Sequence, residues 1–354
     1  MKKIILPLLT IAALASCKKE ETNPEEGYKI PSSYNFENVS YTGQTNRLDM
    51  LAELTSYIKT GHTENTSLDA NKMKDMFSNT NSPFSDADLN AASKNLQGKT
   101  FYLDTTYYIE LFDSIAKYSG KTGGAKGQAG LITGSGRTIL VDANGFEYAQ
   151  LVDKGLMGAC FYYQAASVYL MDEKIGDAVD NSTVTPGEGT DKEHHFDEAF
   201  GYFGAPIDFP SNTTDARFWA SYCWKRDELA NTNKIMDAFL KGRAAISNKD
   251  KSAQDEAVSE IKMYWEKVSA ATAIHYLNSG ITNFSDDAER CHVLTEAYEF
   301  IKALKYNTEN SVTNYQEILD LLGYNFWDVT TTDIENTRNA LATASGLETV
   351  KTQL

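Results

Sequence analysis

The chain has 354 residues, of which 42% are hydrophobic and 23% charged, and 49 acidic side chains against 33 basic ones give a formal net charge of -16. This composition is typical of a globular protein with a core and excludes an intrinsically disordered chain. Because phosphate groups would repel so acidic a chain, we expect no nucleic-acid partner.

The N-terminus carries the three parts of a bacterial lipoprotein signal peptide in their usual order. Two lysines precede an apolar segment over residues 4–13 that is too short to span a bilayer. Residues 14–17 then look like the lipobox at which such proteins are cleaved and lipidated. We therefore predict a signal peptide over residues 1–16 and a lipidated Cys17. The alternative is an ordinary secretory signal followed by an incidental cysteine.

Residues 17–35 contain two prolines and several charges, which predicts a lipidated tether between the membrane and the folded part of the chain. Residues 18–21 resemble the short charged signal that directs Bacteroidetes lipoproteins to the outer leaflet of the outer membrane, although an ordinary polar tether fits equally well. We expect the protein in the cell envelope, lipid-anchored to the outer membrane and either periplasmic or surface-exposed.

The rest of the chain predicts an all-α fold. Residues 84–185 and 211–354 contain no proline and carry apolar residues at helical spacing, whereas strands would bring turn signals about every 8–12 residues. We divide this part into two pseudo-repeated helical bundles packed together, over residues 36–210 and 211–354. The predicted helices cover residues 44–60, 67–79, 85–97, 104–119, 144–172, 191–203, 213–247, 251–278, 286–306, 312–322 and 331–343.

A glycine-rich tract over residues 120–136 interrupts the helices and predicts a loop or a connection between them, followed by a short strand over residues 137–142. The tract begins with Gly-Lys-Thr, as at the end of a phosphate-binding loop. However, Ile115 stands where that motif requires a glycine, which excludes nucleotide binding there. Three cysteines without C-x-x-C spacing predict buried free thiols: Cys160, Cys223 and Cys291.

A weak internal repeat supports the division into two bundles. The tract around Lys154 aligns with the tract around Lys267, and residues 197–203 align with residues 295–301 at an offset near 98. The loop over residues 177–191 is present only in the first copy. Helical sequences also give such matches by chance, so the repeat indicates duplication without establishing it.

The strongest candidate site lies on the helix that begins after Thr190. His195 and Glu198 are one turn apart on the same helical face, and a Glu/His pair at this separation can reach one metal ion inside a helical bundle. We predict that they bind a divalent metal or iron. His194 points about 100° away and is no automatic third ligand. The alternative is a pair of solvated or structural histidines.

A second group of polar residues falls on one face of the helix that starts near residue 144. Glu147, Gln150 and Lys154 flank an apolar, glycine-containing run, which favours a buried polar network over a solvated stripe. We expect these three residues and His194 to support the metal site.

Three segments carry a family resemblance: residues 41–51, 145–159 and 197–204. They look like the uncharacterised Bacteroidetes lipoprotein family DUF4856 (domain of unknown function), and the resemblance covers nearly the whole mature chain. That family is similar in turn to imelysin-like proteins, which are helical two-bundle lipoproteins of bacterial iron uptake with a G-x-H-x-x-E motif. His195 and Glu198 match the histidine and glutamate of that motif, whereas Glu193 occupies the glycine position.

The resemblance and the anchor together imply a membrane-anchored binding protein. It would capture a metal or a metal-bearing ligand, iron or haem, as an accessory to iron uptake, with the membrane and an outer-membrane transporter as partners. An imelysin-like metallopeptidase is the alternative. Because the chain has neither an H-E-x-x-H nor a G-x-S-x-G motif, we assign no catalytic residue and rank catalysis below binding.

Overall fold

The computed structural model describes residues 27–309 and 311–354, and the helices of this part confirm the all-α prediction. The predicted signal peptide, Cys17 and the first part of the predicted tether lie outside the described residues. Among the described helices, none is both long enough and apolar enough to cross a membrane. The α-helices are α1 (Thr42–Thr60), α2 (Ala70–Ser78), α3 (Ala87–Ala91), α4 (Thr105–Tyr118), α5 (Tyr148–Leu156), α6 (Asp172–Ile175), α7 (Asp191–Phe203), α8 (Phe218–Ala230), α9 (Lys234–Ser247), α10 (Lys251–Thr282), α11 (Asp287–Ala303), α12 (Tyr315–Leu322) and α13 (Thr331–Ala344).

The glycine-rich tract is partly a strand, which corrects the prediction of a loop or connection. Strand β1 (Gly130–Thr133) lies within the tract and pairs antiparallel with β2 (Thr138–Val141), the strand that the sequence predicts. The pairing places Leu131 opposite Leu140, and both side chains are buried. The hairpin packs on α11, so the tract belongs to the folded body.

The helix predicted over residues 144–172 changes its hydrogen-bonding pattern part of the way along. After α5 the chain continues through two π-helical segments, Met157–Tyr162 and Ala165–Tyr169. The indole nitrogen of Trp219 donates to the Met157 carbonyl over 2.9 Å, so the first segment begins where a side chain takes over a backbone acceptor. This contact leaves no signal in the spacing of apolar residues along the sequence.

The predicted helix over residues 213–247 is two helices, and this prediction was wrong. Asn231 ends α8 in the left-handed conformation with φ 53°, which asparagine adopts more readily than most residues. Thr232 then donates to the Cys223 carbonyl, and α9 starts two residues later. The three cysteines at 160, 223 and 291 are buried free thiols, as the sequence predicts.

The core is one continuous cluster that runs from Tyr34 to Leu354. The 32-residue helix α10 lies at its centre and packs against α8, α9, α11 and α13. Trp265 on α10 contacts Tyr162, Phe203 and Trp219, with ring centroids 5.3, 5.0 and 5.9 Å away. This packing fixes α7 against α1, α6 and the second π segment, and fixes α5 against α1 and α11.

Candidate functional site

Helix α7 begins with a capping box. Thr190 and Glu193 exchange hydrogen bonds: the Glu193 N–H donates to the Thr190 hydroxyl over 3.2 Å, and the Thr190 N–H donates to Glu193 Oε2 over 3.0 Å. The other Glu193 oxygen accepts from Arg243 Nη1 over 2.7 Å. Glu193 therefore fixes the start of the helix that carries His195 and Glu198.

His195 is half-buried, and both of its ring nitrogens have partners. Nδ1 lies 2.8 Å from the Lys174 carbonyl and donates to it, so Nε2 carries the lone pair and faces the Lys174 ammonium at 3.4 Å. Burial lowers the pKa of His195, and the positive charge of Lys174 lowers it further. His195 is therefore a neutral imidazole at pH 7, the form that ligates metals.

Glu198 is held by two neutral donors. Its Oε1 accepts from Gln44 Nε2 over 2.7 Å, and the Tyr169 hydroxyl also bonds to the carboxylate. Lys99 Nζ donates to the same hydroxyl over 2.8 Å. Burial raises the pKa of Tyr169, and the charge of Glu198 raises it further, so the phenol stays protonated.

Three cations surround these two donors. Arg47 is 6% exposed and holds the carbonyls of Asn95 and Gly43, while Lys99 and Lys174 are half-buried. Burial lowers the pKa of Lys99, and the positive charges of Arg47 and Lys174 lower it further, so Lys99 lies within electrostatic reach of both. We call this group the α7 cluster; its members are Arg47, Lys99, Tyr169, Lys174, His195 and Glu198.

The α7 cluster offers the two predicted metal donors, His195 and Glu198, without a third. Across the described part of the chain, no group of three or more His, Cys, Asp or Glu side chains is placed to hold a metal ion. Zinc sites built from protein ligands usually have three or four. His195 and Glu198 would therefore need donors that a bound ligand brings.

The predicted polar face of α5 is centred on Glu147, whose side chain is 2% exposed. His292 Nδ1 lies 2.5 Å from Glu147 Oε2, and His62 Nε2 lies 3.9 Å from Glu147 Oε1. The Glu147 N–H donates to the Thr295 hydroxyl over 2.9 Å. Glu147 thus joins the segment after α1 to α11.

Lys154 belongs to the same network but does not touch Glu147. Its ammonium lies 2.6 Å from Asp153 Oδ2 and 3.5 Å from Glu296 Oε1, and Glu296 Oε2 lies 3.4 Å from His292 Nε2. His292 and Glu296 on α11 therefore connect Lys154 to Glu147. We call these residues the α5–α11 network; its members are Glu147, Asp153, Lys154, His292 and Glu296.

The other two predicted supporting residues lie outside these contacts. Gln150 is buried, and its Oε1 has no hydrogen-bond partner among the described residues. His194 is on α7 with its ring centroid 6.4 Å from that of His195, and its buried Nδ1 is likewise unpartnered within the described part. The structure therefore divides the predicted residues between the α7 cluster and the α5–α11 network and places Gln150 and His194 in neither.

The family model of the domain of unknown function DUF4856 matches residues 31–348, nearly the whole chain. The chain belongs to the DUF4856 family. No curated protein and no solved structure matches it. The more distant similarity of this DUF4856 protein to imelysin-like proteins stays a prediction.

Sequence reasoning missed most partners of the predicted residues. One signal was present: the repeat offset of 98 places His292 on His194 and Glu296 on Glu198, so the second copy also carries a histidine and a glutamate on one helical face. No comparable signal marks Lys99, Tyr169 or Lys174, because they come from other segments and meet α7 only in the folded chain.

Proposed function

We propose that this DUF4856 protein is a membrane-anchored lipoprotein that binds a metal-bearing ligand, iron or haem, as an accessory to outer-membrane iron uptake. The observation that carries the proposal is the placement of His195 and Glu198 one turn apart on α7, where both reach solvent and His195 is neutral. The lipobox ending at Cys17 supplies the anchor, and an outer-membrane transporter is the proposed partner.

The choice between a bare metal ion and a metal-bearing ligand follows from the donor count. His195 and Glu198 give two donors, and three of the surrounding side chains are cations. A ligand that already holds its metal needs only one or two further donors from the protein. An imelysin-like metallopeptidase would need three protein ligands and a general base, and no contact in the α7 cluster favours it.

The test is the iron and haem content of protein purified without chelator, followed by titration of the apoprotein. We expect His195→Ala and Glu198→Ala each to weaken binding at least about tenfold, which corresponds to about 1.4 kcal/mol. Two control variants remove the same residue types elsewhere: His275→Ala on α10 and Glu110→Ala on α4. Equal iron content in all five proteins would overturn the proposal.

A further inference from the structure

The Lys174 ammonium controls access to the one nitrogen of His195 that is free to ligate. A metal on His195 Nε2 would lie about 2.1 Å from it. The Lys174 Nζ already approaches that lone pair at 3.4 Å. A metal therefore reaches Nε2 only if Lys174 moves away, and a bare cation binds there at a Coulombic cost because its charge and that of Lys174 repel each other.

An anion bound with the metal would favour the movement of Lys174 away from His195 Nε2. Lys174, Lys99 and Arg47 form a local positive region on a chain with a net charge of -16, and Glu198 is the one carboxylate within the α7 cluster. A carboxylate arriving with the metal can take the ammonium of Lys174 as its own partner and so release Nε2. The same anion would relieve the repulsion that Arg47 and Lys174 exert on Lys99.

On these contacts, and resting on the proposed function, we propose that the ligand is an anionic ferric chelate rich in carboxylates. Lys174 and Lys99 bind the carboxylates of the chelate, and His195 Nε2 completes the coordination of the iron. Arg47 adds positive charge near Lys99, while its own hydrogen bonds hold the Asn95 and Gly43 carbonyls. The α7 cluster thereby selects the charge of the chelate as well as the metal.

The experiment compares two ferric chelates of opposite charge; because ferrioxamine B also leaves the iron no open coordination position, the lysine variants described next separate charge from coordination. Ferric citrate is an anion rich in carboxylates, and ferrioxamine B is a cation; both are presented to the full-length protein with radioactive iron in equilibrium dialysis. We expect ferric citrate to bind at least about tenfold more tightly, with an affinity that falls as salt is added.

Variants of the two lysines test their roles separately. Lys174→Met and Lys99→Met should each weaken ferric citrate binding about tenfold, as expected for the loss of a hydrogen bond to a charged group. Lys174→Arg should retain binding because the charge is kept. Lys74→Met is the matched control, since Lys74 pairs with Asp113 on the surface, away from α7.

Two outcomes would overturn the inference and are distinguishable. If both chelates bind equally and the lysine variants change nothing while His195→Ala still abolishes binding, the proposed function stands and the charge selection is wrong. If neither chelate binds and the purified protein holds no iron or haem, the proposed function and the inference fail together.

Discussion

Lys154 is nearly buried, with a side chain 10% exposed between the carboxylates of Asp153 and Glu296. Burial acts to lower the pKa of Lys154, but the nearby negative charges outweigh it and the pKa is raised, so the ammonium stays charged. Lys154→Met would leave the two carboxylates without their cation. We expect it to lower the free energy of unfolding by about 3–5 kcal/mol, measured by urea denaturation at pH 7.

Lys251→Met is the control for this prediction. Lys251 and Asp255 form a surface pair one turn apart on α10, with side chains 38% and 57% exposed. Removing such a pair costs less than about 0.5 kcal/mol. A similarly small change in Lys154→Met would mean that water, and not Lys154, stabilises the carboxylates of Asp153 and Glu296.

At the scale of single residues, helical spacing predicted which residues lie on the same side of a helix. It did not predict which residues from other segments they contact. Glu147 and Lys154 are both nearly buried and in one network, and His195 and Glu198 lie one turn apart on α7. The residues that decide their chemistry come from elsewhere in the chain. Lys174 reaches His195 from α6, and no local sequence pattern predicts this contact.

Asp286 connects two elements, the β-hairpin and helix α11. Its Oδ1 accepts from the N–H groups of Ala288 and Glu289, both over 3.1 Å, and caps the helix. Its Oδ2 accepts from the Ser135 hydroxyl over 2.6 Å and from the Ser135 N–H over 2.8 Å. These bonds, those from Ser135 first, lower the pKa of Asp286 to about 2.

We therefore predict a pH-dependent loss of stability in Asp286→Ala. At pH 7 the variant should lose about 1 kcal/mol or more, the usual effect of removing a helix cap, measured by urea denaturation. The unfolded carboxyl has a pKa of about 3.9, so the native carboxylate contributes fully above that pH and its contribution disappears as pH falls toward 2. The difference between wild type and variant should shrink over the same range.

Asp69→Ala supplies the comparison, because Asp69 caps α2 through a single N–H and has no bond like that to Ser135. It should lose less stability than Asp286→Ala. If the two variants lose the same amount at pH 7, the bonds to Ser135 contribute nothing and the hairpin is held by its other contacts with α11, which include the ion pair of Arg137 with Glu289.

At the scale of elements, sequence periodicity predicted most helices because each has an apolar face and many have a capping residue. It failed where the backbone responds to a distant contact or to a single residue's conformation. The Trp219 indole bonds the Met157 carbonyl where α5 gives way to a π-helix, and Asn231 divides a predicted helix by adopting a left-handed conformation. Strand β1 escaped prediction because its glycine-rich surroundings are typical of loops.

At the scale of the whole molecule, the two parts predicted on either side of residue 210 share one core. Trp265 and Trp219 belong to the second part, yet they pack on Tyr162 and Phe203 of the first. Helix α5 of the first part likewise packs on α11 of the second. A repeat in the sequence indicates where two units began, but only the packing determines whether they fold independently.

We expect residues 36–354 to unfold in a single cooperative transition. Tryptophan fluorescence reports on the shared core through Trp219 and Trp265, and far-UV circular dichroism reports on the helices of both parts. Coincident urea midpoints from the two probes are the expected result, because neither part can lose its structure without exposing the apolar face of the other. Lys154→Met lies in the first part and should shift both midpoints equally, although all four tryptophans are in the second. Two separate midpoints, or a shift confined to one probe, would show that the bundles are independent domains.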